Sequence, residues 1–210
     1  MKLRNSFLFV LVSFFLFGCA TFQAAGDVQT GREALIIGQN EEALSDFQRA
    51  AKIDPTYVAG ATLPEGVWSY LGRAEYATGH LTQARRSLER ALANNKNDNL
   101  ARLYLGLTLA RAGDRQRGLR EIDRGLKGLD DWINYVNDAF RFSYGQYWDP
   151  AGKIRWEIES DLAMISRKYL DWPRLIASGE HVGRKVEEEK DLVRRDEWRD
   201  MSRDGDGIER

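Results

Sequence analysis

Residues 68–91 read WSYLGRAEYATGHLTQARRSLERA, and this stretch decides the fold of the chain. Its spacing of glycine, small and bulky residues recurs 34 positions later, and 41 positions earlier with seven residues inserted. Self-similarity at a period of about 20 to 50 residues is the signature of a repeat architecture. The aligned positions are Gly31, Gly38, Ala43 and Phe47, then Gly72, Gly79, Ala84 and Leu88, then Gly106, Gly113, Gly118 and Ile122.

Each aligned position has a physical role in a pair of antiparallel helices. A glycine or alanine lets two helices approach closely, and the bulky position fills the space beside them. The central residue, Gly38, Gly79 or Gly113, follows the first helix, where a C-terminal cap often needs a left-handed backbone. Each copy is therefore predicted to form one helical hairpin.

This pattern resembles the tetratricopeptide repeat (TPR), and the second copy carries it most fully. The first copy departs from the family at Asp27 and Thr30, and the third has Gly118 and Gly125 where alanine is usual. The resemblance implies an all-α solenoid of about three hairpins over residues 24–132. The implied repeats are 24–57, 65–98 and 99–132. The matching residues of the second copy are Trp68, Leu71, Gly72, Gly79, Ala84, Leu88 and Ala91.

The residues between and after the repeats are also predicted from local signals. The insertion around Thr56–Pro64 is predicted to be a loop, with Pro64 in the first turn of the next helix. Later helices are predicted to start at Asp131, Lys153 and Asp171. Because a solenoid needs a capping element, residues 133–200, with most of the tryptophans, are predicted to be an aromatic-rich helical cap. The alternative is an aromatic recognition surface; residues 201–210 are predicted to be disordered.

The N-terminus is predicted to be a signal peptide over residues 1–18. Lys2 and Arg4 precede an apolar run, Phe7–Phe17, that is shorter than the roughly 20 residues of a membrane-spanning helix. The ending Leu-Phe-Gly-Cys at residues 16–19 resembles the bacterial lipobox. That resemblance implies acylation of Cys19, cleavage after Gly18 and a short tether at 19–23. The alternatives are an ordinary signal peptide and a short, uncleaved anchor.

The same resemblance implies a location in the bacterial cell envelope. Ala20 follows the cysteine, where an Asp would resemble an inner-membrane retention signal, so we expect the outer membrane, facing the periplasm. Two or more acyl chains make a stable anchor. The membrane is therefore one expected partner.

Composition excludes several classes of function. The 210 residues include 31 Lys and Arg against 32 Asp and Glu, a net charge of −1, which gives no electrostatic basis for nucleic-acid binding. One Cys and two His, His80 and His181, cannot build a Cys/His-rich zinc site, and both histidines are predicted to be solvated. With no nucleophile elbow and no phosphate-binding loop, we expect no enzyme, no cofactor and no metal.

The TPR resemblance implies a groove, lined by the first helix of each hairpin, that binds a protein or peptide of the envelope. Arginines in such a groove would grip carboxylates by bidentate hydrogen bonds. The alternative is that they pair with Asp or Glu on neighbouring helices. The groove candidates are Arg32, Ser69, Arg73, Tyr76, Leu103, Leu107 and Arg111.

A second hypothesis is a ligand-binding protein or enzyme with its site in the C-terminal segment. It would use carboxylates at Asp149, Glu157 or Asp161 beside Trp148 and Trp156. The nearby run Glu187-Glu188-Glu189 is instead predicted to be a solvated, ion-paired helix face.

Overall fold

The structure, a computed structural model, describes the backbone of residues 3–60 and 63–206. Side chains are described for residues 20–60, 63–193 and 195. Within this part the chain is all-α, with eight α-helices and one two-residue β-ladder. The chain divides into two compact units, unit 1 (Met1–Asn95) and unit 2 (Lys96–Arg210).

Unit 1 consists of two helical hairpins joined by the β-ladder. The first hairpin pairs α1 with α2, and the second pairs α3 with α4. Phe47 of α2 stacks on Tyr70 of α3 with ring centroids 5.5 Å apart, and both rings are fully buried. The core therefore extends from one hairpin to the next. The elements are α1 (Leu3–Ile36), α2 (Asn40–Ile53), β1 (Val58–Ala59), β2 (Glu65–Gly66), α3 (Val67–Ala77) and α4 (Leu81–Asn94).

Unit 2 begins with a third hairpin and ends with two further helices. Its elements are α5 (Asn99–Arg111), α6 (Arg115–Ala139), a 3₁₀ turn (Tyr144–Tyr147), α7 (Lys153–Ile165) and α8 (Trp172–Asp206). The predicted helix starts at Lys153 and next to Asp171 are confirmed, and Asp171 Oδ1 accepts a hydrogen bond from Arg174 N at 3.1 Å. α8 continues through residues 201–206 of the predicted tail, and residues 207–210 lie outside the described residues.

The predicted helix start at Asp131 is wrong, because α6 runs without interruption from Arg115 to Ala139. Gly125 does not end the helix, although glycine weakens helices elsewhere. A Cβ at this position would lie 2.7 Å from Leu103 N. The glycine therefore permits close packing of α6 on α5, and that packing offsets its low helix propensity.

The three hairpins make their turns in the same way. The backbone angle φ is +81° at Gly38, +81° at Gly79 and +95° at Gly113, the left-handed conformation that glycine adopts without strain. The residue after each glycine donates its N–H to a carbonyl five positions back, which is the closing bond of a Schellman cap. These bonds are Gln39 to Ala34 (2.8 Å), His80 to Glu75 (2.8 Å) and Asp114 to Leu109 (2.9 Å).

The two helices of each hairpin touch at a glycine, and again the three contacts correspond. A Cβ on Gly31 would lie 2.7 Å from Phe47 Cε1, and one on Gly72 would lie 2.5 Å from Leu88 Cγ. A Cβ on Gly106 would lie 2.5 Å from the backbone N of Ile122. A side chain at Gly31 or Gly72 would force Phe47 or Leu88 to move, and one at Gly106 would meet the backbone of α6.

The described part of the insertion contains strand pairing that was not predicted. Ala59 pairs with Glu65 in an antiparallel ladder, and α3 begins only at Val67. The prediction that Pro64 lies in the first turn of α3 is therefore wrong. Trp68 Nε1 donates to Pro55 O at 2.8 Å, so the described part of the insertion is tied to the start of α3.

The glycine contact between helices gives a stability prediction. Gly106→Ala places a methyl group against the backbone of α6, which cannot yield as a side chain would. We expect the free energy of unfolding to fall by about 1–3 kcal/mol, measured by urea denaturation. Gly26→Ala is the matched control, because nothing lies within 4 Å of its Cβ; this change should stabilise α1 by about 0.5–1 kcal/mol. Equal effects at the two positions would contradict the close contact.

Candidate functional site

The predicted groove residues of unit 1 are interior groups. Arg32, Ser69, Arg73 and Tyr76 are all buried, with no more than 6% of any residue exposed. Arg32 Nη1 donates to Gln29 Oε1 at 3.2 Å, on its own helix. These side chains therefore do not form the open lining that the repeat register predicts.

Arg73 forms a buried ion pair that the sequence analysis missed. Its Nη2 lies 3.4 Å from Glu65 Oε1, and Ser69 Oγ donates to the same oxygen at 3.3 Å. The guanidinium carbon also lies 4.8 Å from the centroid of the Tyr70 ring. Because an uncompensated buried charge is strongly destabilising, Glu65 stabilises Arg73 in the interior. The four-residue spacing from Glu65 to Ser69 to Arg73 was the available sequence signal.

In unit 2 the face of α5 that was predicted to bind a peptide is covered by α8. A Cβ on Gly179 would lie 3.1 Å from Leu107 Cδ2 and 3.6 Å from Leu103 Cδ1, and both leucines are fully buried. Arg111 Nη1 lies 3.9 Å from Glu180 Oε1 of α8. α8 of the same chain therefore occupies the face of α5 at which a partner peptide was predicted to bind.

The alternative prediction was that the groove arginines pair with Asp or Glu on neighbouring helices. It is confirmed at Arg111, which pairs with Glu180 of α8. A sequence signal for this packing was present in α8, where Gly179 and Gly183 stand four residues apart. This spacing places two glycines on one helix face. A Cβ on Gly183 would lie 2.6 Å from the ring of Tyr104 on α5.

Asp149, one of the carboxylates in the second hypothesis, caps α7. Its carboxylate accepts hydrogen bonds from Ile154 N at 3.0 Å and Arg155 N at 3.1 Å, and it pairs with Arg155 Nε at 3.0 Å. Asp149 N donates to Glu189 Oε1 of α8 at 2.9 Å. Its backbone is in a left-handed conformation, with φ of 42°. The residue is held as a structural joint between α7 and α8.

The acidic run on α8 also differs from its prediction. Glu187 is buried, and Glu189 accepts the bond from Asp149 N described above. Burial raises the pKa of Glu189. Of the three carboxylates, Glu188 matches the expected ion-paired face, because it accepts from Lys185 Nζ at 2.5 Å. The prediction of a solvated face is wrong for Glu187 and Glu189.

Glu157 and Asp161 come together with two side chains of α8. Glu157 Oε1 accepts from Ser178 Oγ at 3.0 Å, and Glu157 Oε2 lies 2.7 Å from His181 Nδ1. Glu157 therefore bridges the two helices, and His181, whose side chain is 41% exposed, contacts this carboxylate as well as solvent. Asp161 is 1% exposed. Burial raises its pKa to about 6, while Ser178 lowers it and the negative charge of Glu157 raises it further.

The polar contacts of this cluster connect α7 to α8. The Ser178 hydroxyl of α8 is bonded to a carboxylate of α7 that also lies against His181 of α8. Among the described residues, no group of three His, Cys, Asp or Glu side chains could hold a metal ion. The tryptophans of the second hypothesis are separated by environment, since Trp148 is buried beside Trp132 and Trp156 is exposed.

Unit 2 carries four aromatic side chains in the last turns of α6 and just after it, which we call the aromatic cluster (Tyr135, Phe140, Phe142 and Tyr144). Tyr135 and Phe142 are exposed, and Phe140 and Tyr144 are half-buried. The rings of Tyr135 and Phe140 meet edge to face at 6.1 Å, and those of Phe140 and Tyr144 stack at 4.7 Å. Phe142 is 87% exposed, and the Arg141 guanidinium lies 4.8 Å from its ring centroid. Because large apolar groups that project into solvent often mark interaction sites, this cluster is the candidate binding surface.

The predicted lipid attachment site falls partly outside the described residues. The side chain of Cys19 is not among them, and residues 1 and 2 lie outside them entirely. In the described part of the chain, no helix is both long enough and apolar enough to cross a membrane.

The buried carboxyl of Asp161 gives a prediction of pH dependence. Because its folded pKa of about 6 lies above the usual 3.8, the folded state binds the proton more tightly than the unfolded state. Its contribution to the free energy of unfolding is therefore lost as the pH rises from about 4 to above 6. Asp161→Asn should remove this loss, a change of up to about 3 kcal/mol, measured by urea denaturation at pH 4.5 and 7.5.

Glu159→Gln serves as the control, because it removes one charge from an exposed position of the same helix. It should leave the pH dependence close to that of the unmodified chain. If the free energy of unfolding changes with pH equally in Asp161→Asn and in the unmodified chain, Asp161 does not titrate in this range.

Comparison with known proteins finds no family model, no curated protein and no solved structure that matches this chain.

Proposed function

We propose that the chain is a non-enzymatic scaffold of the bacterial cell envelope, built from three TPR-like hairpins, that binds another envelope protein. The observation that carries the repeat assignment is the correspondence of the three hairpins. Each has a left-handed glycine at its turn, the same capping bond and a glycine contact between its helices. Repeats of this kind form surfaces for protein recognition rather than catalytic centres.

The scaffold is proposed to be held on the membrane through Cys19. The support is the lipobox-like ending Leu-Phe-Gly-Cys at residues 16–19, which follows a basic start and a short apolar run. Diacylglycerol on the thiol and a further acyl chain on the new amino terminus would give more than one buried chain, which makes anchoring stable. With Ala20 next to the cysteine, the outer membrane is the proposed location.

The partner is proposed to bind at the aromatic cluster of unit 2. The inner face of α5 is not available, because α8 covers Leu103 and Leu107. Aromatic side chains and arginine are enriched among the residues that dominate binding energies at protein interfaces. Phe142, with Arg141 over its ring, has both kinds of group at an exposed position.

The anchor is tested at its attachment residue. Cys19→Ser removes the acceptor thiol, so we expect loss of fatty-acid incorporation and a shift of the chain from the membrane fraction to the soluble fraction. Gln23→Ser, four residues later, is the control and should keep both properties. A Cys19→Ser chain that stays with membranes, together with an unmodified Cys19 in the original chain, would contradict lipid anchoring.

The binding surface is tested by photo-crosslinking in intact cells. A photoreactive amino acid at Phe142 should give discrete crosslinked products, and the same probe at Tyr169 should not. Tyr169 is the matched control because it is an aromatic side chain of unit 2 with similar exposure, 81% against 87% for Phe142. Phe142→Ser should lower recovery of the captured partner by about tenfold or more, as expected for a dominant contact. Equal products from both positions would be evidence against the aromatic cluster.

A further inference from the structure

No extended tether separates the proposed lipid attachment site, Cys19, from the folded part of unit 1. α1 runs from Leu3 to Ile36, so the backbone of residues 19–23 is helical. Ala24 and Val28 are already buried in the core of unit 1. The segment predicted as a tether is therefore part of α1, and it becomes the first turn of this helix once the chain is cleaved after Gly18 as proposed.

A side-chain contact fixes this turn to the other helix of the hairpin. Thr21 Oγ1 donates to Asp54 Oδ2 at 3.1 Å, across 33 positions of sequence. The other carboxylate oxygen of Asp54 accepts from Thr56 N at 3.0 Å and from Thr56 Oγ1 at 2.7 Å. The hydrogen bond from the Thr56 hydroxyl is the main reason that the pKa of Asp54 is lowered. The Asp54 carboxylate thus links Thr21 of α1 to the C-terminal end of α2.

Phe22 is the large apolar side chain next to this anchor. It is 83% exposed. In a helix, positions 19 and 22 lie on the same side and about 4.5 Å apart along the axis. Ile37, just beyond the other end of α1, is 69% exposed but lies about 22 Å along the axis from Phe22.

We infer that the end of α1 created by the proposed cleavage after Gly18 sits directly on the lipid bilayer, with Phe22 inserted at the boundary between headgroups and acyl chains. This inference rests on the proposed acylation of Cys19. Acyl chains at position 19 must enter the bilayer, and three helical residues cannot carry Phe22 beyond the headgroup region. The bilayer is the occupant of this exposed site because the covalent anchor brings it there. The orientation of unit 1 on the membrane is then set by α1.

The test uses the full acylated chain in vesicles of phosphatidylethanolamine and phosphatidylglycerol. The sequence has a single Cys, at position 19, and acylation consumes its thiol. Phe22→Cys and Ile37→Cys therefore each provide one reactive thiol for a nitrobenzoxadiazole label. Quenching of each label by lipids that carry a nitroxide on the acyl chain reports its depth.

We expect the label at position 22 to be quenched at least about threefold more than the label at position 37, with a blue-shifted emission. Equal quenching at the two positions overturns the inference. The mass of the N-terminal peptide separates this result from failure of the proposed anchor. An unacylated Cys19 contradicts the anchor and the inference together, whereas acylated chains with equal quenching contradict only the seating of Phe22. Circular dichroism confirms that both labelled chains are folded.

Discussion

In each hairpin the two helices come into close contact at a position that has no side chain. Gly31, Gly72 and Gly106 let the second helix approach until a Cβ would overlap Phe47, Leu88 or Ile122. Dispersion attraction is small for each atom pair but large when summed over a close helix contact. A larger residue at the glycine would separate the helices and reduce that sum along their whole length. The hairpins, and the burial of everything packed on them, depend on these three positions.

Close helix packing also explains why charged side chains occur in the interior. In unit 1 Arg73 is buried with Glu65, and neither could be kept there as a charged group without compensation. Such a pair adds little net stability compared with apolar residues of the same size, but removal of one partner is costly. The arginine therefore has a structural role. Its substitution would perturb the fold of unit 1, so it is a poor probe of partner binding.

The sequence predicted what is set by neighbouring residues. The turns at Gly38, Gly79 and Gly113 follow from the backbone freedom of glycine, and the helix starts at Lys153 and near Asp171 follow from capping and turn signals. Those features need no knowledge of distant residues. They account for the all-α class and for the positions of the hairpins.

The errors arose where distant residues decide the outcome. Asp131 has the chemistry of a helix cap, but α6 continues through it and packs there on later elements of unit 2, with Trp132 against Trp148. Glu65 follows the predicted loop and was predicted to lie in the first turn of the next helix, and its β-ladder and its pairing with Arg73 are contacts that a local pattern does not encode. The prediction of an open groove was wrong for the same reason. Periodicity predicts which residues lie on the inner face of α5, but it does not predict that residues of α8 cover that face.

The apolar residues in and just after the second half of α1 show how packing distinguishes structural from functional side chains. Ala24, Val28 and Ala34 are buried, so their apolar character is explained by the core. Phe22, within α1, and Ile37, just after it, have no such explanation, because both are exposed. A single exposed apolar residue is ordinary on a protein surface, and Ile37 needs no further account. Phe22 differs because it lies three residues after the proposed acylation site. A helix that is packed from Ala24 onward holds it at a fixed distance from that site.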